Sequence, residues 1–219
     1  MSKTERALRG PGLIEITLGV LLSLVLGVVL ATAHLMAKQV EVVKELPKEG
    51  AVPGQIYMIE GSANGAKAKQ WTRKRQILME GKAAVVTFNE DELNAWIASL
   101  GLEKTSMFAK YESFKPGIPN IRIRDGRLHL GMTSEFQGEK DGMKMVVQFR
   151  GYFEKQGDEY AFMMDELYMN SLPMHRLWGG AAIPYKLSEA GDLPEEVLTM
   201  WKRLSLVAIE GDALKLVVP

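Results

Sequence analysis

The pattern of apolar and polar positions divides the chain into a short membrane part and a longer water-soluble part. Residues 16–36 run ITLGVLLSLVLGVVLATAHLM without an Asp, Glu, Lys or Arg. As a helix this stretch matches the hydrocarbon thickness of a bilayer, about 30 Å. The sequence therefore predicts a tail and transmembrane helix over 1–37, a linker over 38–54 and one domain over 55–219. The linker is predicted because Pro47, Pro53 and Gly54 interrupt its charged residues.

Alternation of apolar and polar residues predicts antiparallel strands in the second half of the domain. NIRIR and RLHLGMTSEF flank Asp125-Gly126, the dipeptide that favours a two-residue type I′ turn. A second hairpin is predicted over 143–171, where residues 160–171 break the alternation and should be covered on both faces. The apolar face of this sheet is predicted to carry Ile121, Ile123, Leu128, Leu130, Met132, Phe136, Met143, Met145, Val147, Phe149 and Phe153. The polar face, expected to be wet, is predicted to carry Arg122, Arg124, Arg127, His129, Glu135, Lys144, Gln148 and Arg150.

Three helices are predicted to pack with the sheet. The first covers 63–79, and the third begins at Pro194, just before a final hairpin. The second has Asn89 as N-cap and Gly101 at its C-terminal end. The order of elements predicts an α+β fold, in which an N-terminal transmembrane helix precedes an antiparallel meander sheet packed with two or three helices.

Composition and motifs exclude several classes of function. The 27 Lys and Arg balance the 27 Asp and Glu, so no overall field favours a nucleic-acid partner. The chain has no cysteine and three histidines, and no P-loop, G-x-S-x-G or H-E-x-x-H motif occurs. We expect no cofactor, no metal site and no enzymatic activity. The thirteen methionines suit a core or an adaptable surface.

The remaining candidates for acid-base chemistry are few. Glu90, Asp91 and Glu92 belong to a helix start, where negative charge is favourable. Asp165 and Glu166 lie in an otherwise apolar strand, where pairing with an Arg or Lys of a neighbouring strand is the expected arrangement. A cell-envelope hydrolase that uses Asp165 or Glu166 with His175 is therefore the weakest of the functional hypotheses.

Small residues recur every four positions along the predicted membrane helix. Such a strip permits close approach of a second helix, from another membrane protein or from a second copy. The alternative is that glycines are simply common in spanning helices and that the acidic member sits at the headgroups. The small-residue strip consists of Glu15, Gly19, Ser23, Gly27 and Ala31.

The charges that flank the apolar stretch bear on topology. Lys3, Arg6 and Arg9 precede it in a compact group, which favours a cytoplasmic N-terminus in the cell (inner) membrane and a periplasmic or extracellular domain. A cleaved signal peptide is the alternative, because Ala31-Thr32-Ala33 resembles a cleavage site.

Two further surfaces are candidates for binding in the soluble domain. A lipid or other apolar ligand, or a docking partner, would contact a set of large apolar side chains: Phe149, Phe153, Phe162, Met164, Met174, Leu177 and Trp178. The second candidate is a basic surface around the first predicted helix, which could contact the bilayer headgroups. The alternative is that this surface is an ordinary solvated helix face. Its residues are Lys67, Lys69, Trp71, Arg73, Lys74 and Arg75.

Three phrases give the chain a family resemblance. VVTFNEDELNAWI, IRIRDGRLHLGM and LSLVAIEGDALKLVV, which span most of 84–219, resemble the YpmS-like group of bacterial membrane-anchored proteins of unknown function. The resemblance implies kinship in shape with lipid-binding domains whose curved sheet wraps a long helix around an apolar groove, and it carries over no catalytic residue. This sequence departs from that shape because no long amphipathic helix is predicted beside the sheet.

Two main functional hypotheses follow. The first is a membrane-anchored, non-enzymatic interaction or assembly protein with an extracytoplasmic domain. The second is a membrane-tethered domain that binds a lipid or another apolar ligand.

Overall fold

The computed structural model of the protein describes residues 11–48, 52–102, 114–136, 143–189 and 193–219, without the side chains of residues 114, 136, 143, 177 and 178. The chain forms two compact units that divide after Lys38. Lys3, Arg6 and Arg9, which carry the topology prediction, lie outside the described residues.

The elements follow the predicted α+β order. The helices are α1 (Leu13–Ala37), α2 (Trp71–Met79), α3 (Glu90–Ser99) and α4 (Glu195–Lys202), with 3-10 turns at Met174–Trp178 and Leu187–Glu189. The strands are β1 (Glu41–Val43), β2 (Tyr57–Ile59), β3 (Ala84–Asn89), β4 (Phe114–Lys115), β5 (Asn120–Arg124), β6 (Arg127–Phe136), β7 (Met143–Gln156), β8 (Glu159–Met169), β9 (Leu172–Pro173), β10 (Ile183–Lys186), β11 (Leu206–Glu210) and β12 (Ala213–Val218).

Helix α1 is long and apolar enough to cross a membrane. Its 25 residues extend about 37 Å at about 1.5 Å per residue. No residue of α1 is buried by the rest of the described structure, so its apolar side chains are available to lipid or to another helix.

The large sheet is antiparallel, with the order β10-β8-β7-β6 and with both β4 and β5 paired to β6. The predicted turn between β5 and β6 is confirmed: Asp125 and Gly126 have φ of 53° and 69°, as a type I′ turn requires. A second sheet, ordered β11-β12-β3, joins the predicted C-terminal hairpin to a strand from much earlier in the chain.

Helices α2, α3 and α4 enclose the core with the apolar face of the large sheet. Phe153 lies 5.5 Å from Phe162 and 5.6 Å from Trp201 of α4, measured between ring centroids. Phe88 and Trp96 of α3 are 5.2 Å apart. These aromatic contacts fill the space between sheet and helices, and the fully buried Phe88 marks its centre.

Side chains of α3 cover the free edge of β5. The Asn89 side chain accepts a hydrogen bond from the Glu92 amide, which confirms it as the N-cap. Further along the helix, Asn94 Oδ1 accepts from the Ile121 amide at 2.6 Å, and Asn94 Nδ2 donates to the Ile121 carbonyl at 2.8 Å. Glu90 accepts from the Ile123 amide at 2.8 Å. The helix therefore substitutes for a neighbouring strand, and the acidic start of α3 has a structural role.

The predicted helix over 63–79 is wrong in its first half, because α2 begins only at Trp71. The preceding residues are held in turns by side-chain bonds that compete with helix formation. Asn64 accepts from the Ala66 amide within the segment, and Asp91 of α3 accepts from Ser62 Oγ and the Asn64 amide, each at 2.5 Å.

The segment 38–54, expected to be only a linker, contributes structure to the domain. Its residues 41–43 form β1, which pairs in parallel with β2 from Tyr57 to Ile59. Val40 is buried beside Met58 and Val146 in a small apolar cluster. The compact unit accordingly begins at Gln39 rather than at 55.

Candidate functional site

A recess lies where β2 crosses the polar face of the large sheet. Met58 of β2 rests on Gly131 of β6, at a point where a Cβ on the glycine would lie 2.5 Å from Met58 Cε. The expectation of an open, wet polar face is therefore wrong at this end of the sheet. Beside the contact is a cavity of about 220 Å³, the polar groove, lined by Leu46, Gln55, Ile56, Tyr57, Met58, Ile59, His129, Leu130, Gly131, Gln148, Phe149, Arg150, Glu166 and Tyr168.

Two adjacent rows of strand partners supply the polar groups of the groove. In the first row, His129 of β6 is opposite Arg150 of β7, which is opposite Glu166 of β8. In the second row, Gln148 of β7 is opposite Tyr168 of β8. Arg150 Nη1 donates to Glu166 Oε1 at 3.2 Å, so the charges of this pair compensate each other within the sheet.

Three nitrogen atoms of these rows are buried and have no hydrogen-bond partner among the described residues: His129 Nε2, Gln148 Nε2 and Arg150 Nε. Leaving a buried polar group unpaired costs about 1–3 kcal/mol. The residues that carry these three atoms line one cavity, which makes the polar groove the candidate binding site of the domain.

Two side chains of the groove have perturbed acid-base properties. Burial, assisted by the neighbouring Arg150 guanidinium, lowers the pKa of His129 below its ordinary value of 6.5. Burial, assisted by the Glu166 carboxylate, raises the pKa of Tyr168 above its ordinary value of 10.0. Both groups are therefore neutral at pH 7, which leaves Arg150 and Glu166 as the charged groups of the groove lining.

A β-bulge gives Glu166 and Tyr168 their position. Arg150 pairs with Glu166, whereas the next residue of β7, Gly151, pairs with Met164, so Asp165 is an extra residue in β8. Without the bulge, simple alternation would place Glu166 and Tyr168 on the same face as Met164, which packs against the core. The break in alternation over 160–171 was the sequence signal for this arrangement.

The predicted covering of β8 on both faces is confirmed in its first half. Three successive residues, Ala161, Phe162 and Met163, are all buried. Since successive side chains of a strand point to opposite faces, this burial requires cover on both sides.

The residues of the hydrolase hypothesis each have a local partner. Asp165 is ion-paired with Arg127 of β6, and Glu166 with Arg150, as expected for carboxylates in such a strand. His175 Nδ1 lies 3.3 Å from the Leu167 carbonyl oxygen, and its ring meets the Tyr168 ring edge-on at 5.1 Å. Within the described ranges, no group of three or more His, Asp or Glu side chains is arranged to hold a metal ion.

The candidate apolar surface divides between the core and the 3-10 turn at Met174. Phe162 is buried, and Phe149, Phe153 and Met164 pack against the main cluster. Met174 is half-buried at the start of the turn, and the side chains of Leu177 and Trp178 lie outside what the structure describes. In the part that is described, the apolar face of the sheet carries packed aromatic rings where an acyl chain would need space.

The candidate headgroup-contacting residues also divide into two sets. Lys74 donates to Glu92 Oε2 at 2.6 Å and to the Thr87 carbonyl at 2.7 Å, and Arg75 is ion-paired with Glu196. Trp71 packs against the core. The exposed members are Lys67, Lys69 and Arg73.

The small-residue strip forms a shallow groove along one side of α1. Gly19, Ser23, Gly27 and Ala31 line it together with Ile16, Val20, Leu24 and Val28. The polar members are satisfied within the helix, because the Glu15 carboxylate accepts from the Gly12 amide at 3.0 Å and Ser23 Oγ donates to the Gly19 carbonyl at 2.8 Å. A partner helix would therefore pack against small side chains, because Glu15 lies at the end of the strip and is not part of the groove lining.

No protein-family model matches the chain, and no similar protein was found among curated sequences or solved structures. The YpmS-like resemblance stays a prediction.

Proposed function

We propose that the chain is a membrane-anchored, non-enzymatic interaction or assembly protein. Helix α1 anchors it and pairs with another transmembrane helix through the small-residue strip, while the domain presents the polar groove to a binding partner. The observation that carries the proposal is the polar groove, a recess with one apolar side whose lining includes three residues that each have a buried nitrogen atom without a partner among the described residues. Such a recess gains hydrogen bonds when it is occupied, which is the property of a binding site.

In this proposal the protein is a single-pass protein of the cell membrane, with its N-terminus in the cytoplasm and its domain outside. The length and apolar character of α1 support the anchor, and the compact basic group before it supports the orientation.

A binding role rather than a catalytic one is supported by the state of the carboxylates. A general acid or base needs access to its substrate and a pKa suited to proton transfer. Asp165 and Glu166 are instead held in ion pairs with Arg127 and Arg150. The lipid-binding alternative receives less support, since Phe153, Phe162 and Trp201 occupy the space beside the apolar face.

The absence of cysteine from the chain permits a direct test of helix pairing, because every disulfide must come from an introduced residue. We would place single cysteines at Ser23, on the strip, and at Leu21, about 200° around the helix as a matched control. Self-pairing through the strip predicts that Ser23→Cys forms a disulfide-linked dimer in native membranes and that Leu21→Cys does not.

Pairing with a different membrane protein is tested in the same membranes with a short photo-crosslinker attached to each cysteine. A larger adduct specific to Ser23→Cys supports it. Equal or absent adducts at the two positions in both experiments would contradict the assembly proposal.

A further inference from the structure

We propose that the polar groove binds a small monocarboxylic acid with a short apolar body. The carboxylate would lie on Gln148 and Arg150, and the apolar body against Ile56 and Met58. This inference rests on the binding role proposed above for the groove and names the chemical class of its ligand.

The unpaired groups of the groove require a hydrogen-bond acceptor. The Gln148 amide nitrogen can only donate, and the same holds for Arg150 Nε. The Arg150 guanidinium uses Nη1 for Glu166 and retains further N–H groups. Two parallel N–H donors of a guanidinium match the two oxygens of a carboxylate. A cationic ligand would offer these nitrogens no acceptor and would be repelled by the guanidinium.

The charges around the groove disfavour a doubly charged ligand. Arg150 is already compensated by Glu166, and the nearby Tyr168 carries no charge at pH 7. A doubly charged phosphate would meet the Glu166 carboxylate at close range with little positive charge to spare. A carboxylate would accept from the N–H groups of Arg150 that Glu166 does not use and from the Gln148 amide, once the side chain of Gln148 turns its buried nitrogen toward the groove.

The size and the walls of the groove define the rest of the ligand. Its volume of about 220 Å³ lies below the range of roughly 300–1,000 Å³ typical of drug-sized ligands and does not suit a two-chain lipid. Leu46, Ile56 and Met58 give one side an apolar surface. A short aliphatic or aromatic acid fits both properties.

His129 makes occupancy of the groove observable. The charged groups that act on its imidazole are Arg150 and Arg124, which oppose protonation, and Glu166 and Asp125, which favour it. A bound carboxylate adds a negative charge beside the ring and favours the imidazolium. Binding should therefore raise the pKa of His129.

The experiment uses the full chain in mild detergent, with the three histidine ring signals followed by NMR. Sodium butyrate is the probe, and n-butanol, butylammonium and inorganic phosphate are the comparison solutes. Titration to about 10 mM is sufficient to detect a Kd of the order of 1 mM. The proposal predicts that butyrate shifts the His129 signal to saturation, raises its pKa and binds at least about tenfold more tightly than the comparison solutes.

Variants of the groove identify the contact. Gln148→Glu keeps the shape of the side chain and places a second carboxylate opposite the ligand, so butyrate binding should fall by about tenfold or more. Gln148→Leu removes the donor and should have a similar effect. Lys144→Leu is the matched control, because Lys144 is an exposed residue on the polar face of β7 but outside the groove lining, and binding should be unchanged.

Three results would overturn the inference. The first is the absence of a saturable shift of the His129 signal with butyrate, and the second is equal binding of phosphate or butylammonium. The third is unchanged butyrate binding to Gln148→Glu, provided that the His175 signal of this variant matches that of the parent chain and so shows that the variant is folded. The disulfide and adduct tests on α1 do not depend on the groove, so they distinguish failure of this inference from failure of the assembly proposal.

Discussion

Replacing Asn94 by Leu should destabilise the domain by about 2–4 kcal/mol. The side chain is 5% exposed and makes three hydrogen bonds, to the amide and carbonyl of Ile121 and to the carbonyl of Ser62. Loss of the hydrogen bond from the buried Ile121 amide costs about 1–3 kcal/mol. Loss of the hydrogen bond to the Ile121 carbonyl adds roughly 1 kcal/mol. Ser62 is exposed, so its carbonyl can turn to water and adds little.

The assay is urea unfolding of the full chain in mild detergent, followed by tryptophan fluorescence. Ala98→Leu is the control, because Ala98 lies on the exposed side of α3 and the same side chain is introduced there without loss of a hydrogen bond. Hydrogen exchange adds a local measurement, in which the Ile121 amide should lose protection in Asn94→Leu. Equal stability of the two variants, with Ile121 still protected, would refute the conclusion that α3 substitutes for a strand beside β5.

Three further predictions concern other contacts of the domain. Gly131→Ala places a Cβ against Met58 and should cost about 1–3 kcal/mol, with faster hydrogen exchange in β2; unchanged exchange there would contradict the contact. Lys74→Met leaves the buried Glu92 carboxylate without its cation and should cost about 3 kcal/mol in urea unfolding, whereas Glu92→Gln leaves the partly exposed Lys74 and should cost less. Because burial lowers the pKa of His129, the unfolded chain binds the proton more readily, so stability should fall as the pH drops below 6.5. His129→Gln should remove part of that fall, and unfolding curves of both chains at about pH 7.5 and 5.5 would reveal it.

The elements that the sequence predicts well are those decided by local physics. The hairpin at Asp125-Gly126 depends on a turn that few other dipeptides adopt. Helix α3 depends on the Asn89 cap and its acidic first turn, and α4 on Pro194 followed by an apolar stripe. In each case the signal lies within a dozen residues, so no distant partner needs to be known.

The polar groove could not be predicted in this way because distant segments build it. Its apolar wall comes from 46–59 and its polar groups from 129–168. The available signals were indirect: a glycine at 131 in the middle of an alternating strand, and the apolar Met58 in a short strand with no apparent core to join. The prediction of a helix over 63–79 was wrong in its first half for the same reason, since Asp91 of α3 accepts hydrogen bonds from the 62–64 turn.

The bulge at Asp165 implies that the length of β8, as much as its composition, determines which side of the sheet is chemically active. Because side chains alternate with a period of two, an extra residue in a regular strand inverts the orientation of everything that follows it, whereas the bulge absorbs Asp165 and keeps Glu166 opposite Arg150. Straightening the bulge with Asp165 retained would turn Glu166 toward the core and Leu167 toward the Arg150 side. Deleting Asp165 would instead make Glu166 follow Met164 directly, so a regular strand would keep Glu166 opposite Arg150 and lose only the ion pair of Asp165 with Arg127. A comparison of related chains should therefore establish whether a residue stands between the counterparts of Met164 and Glu166, and whether it is bulged, before it assigns side chains to the two faces of the sheet.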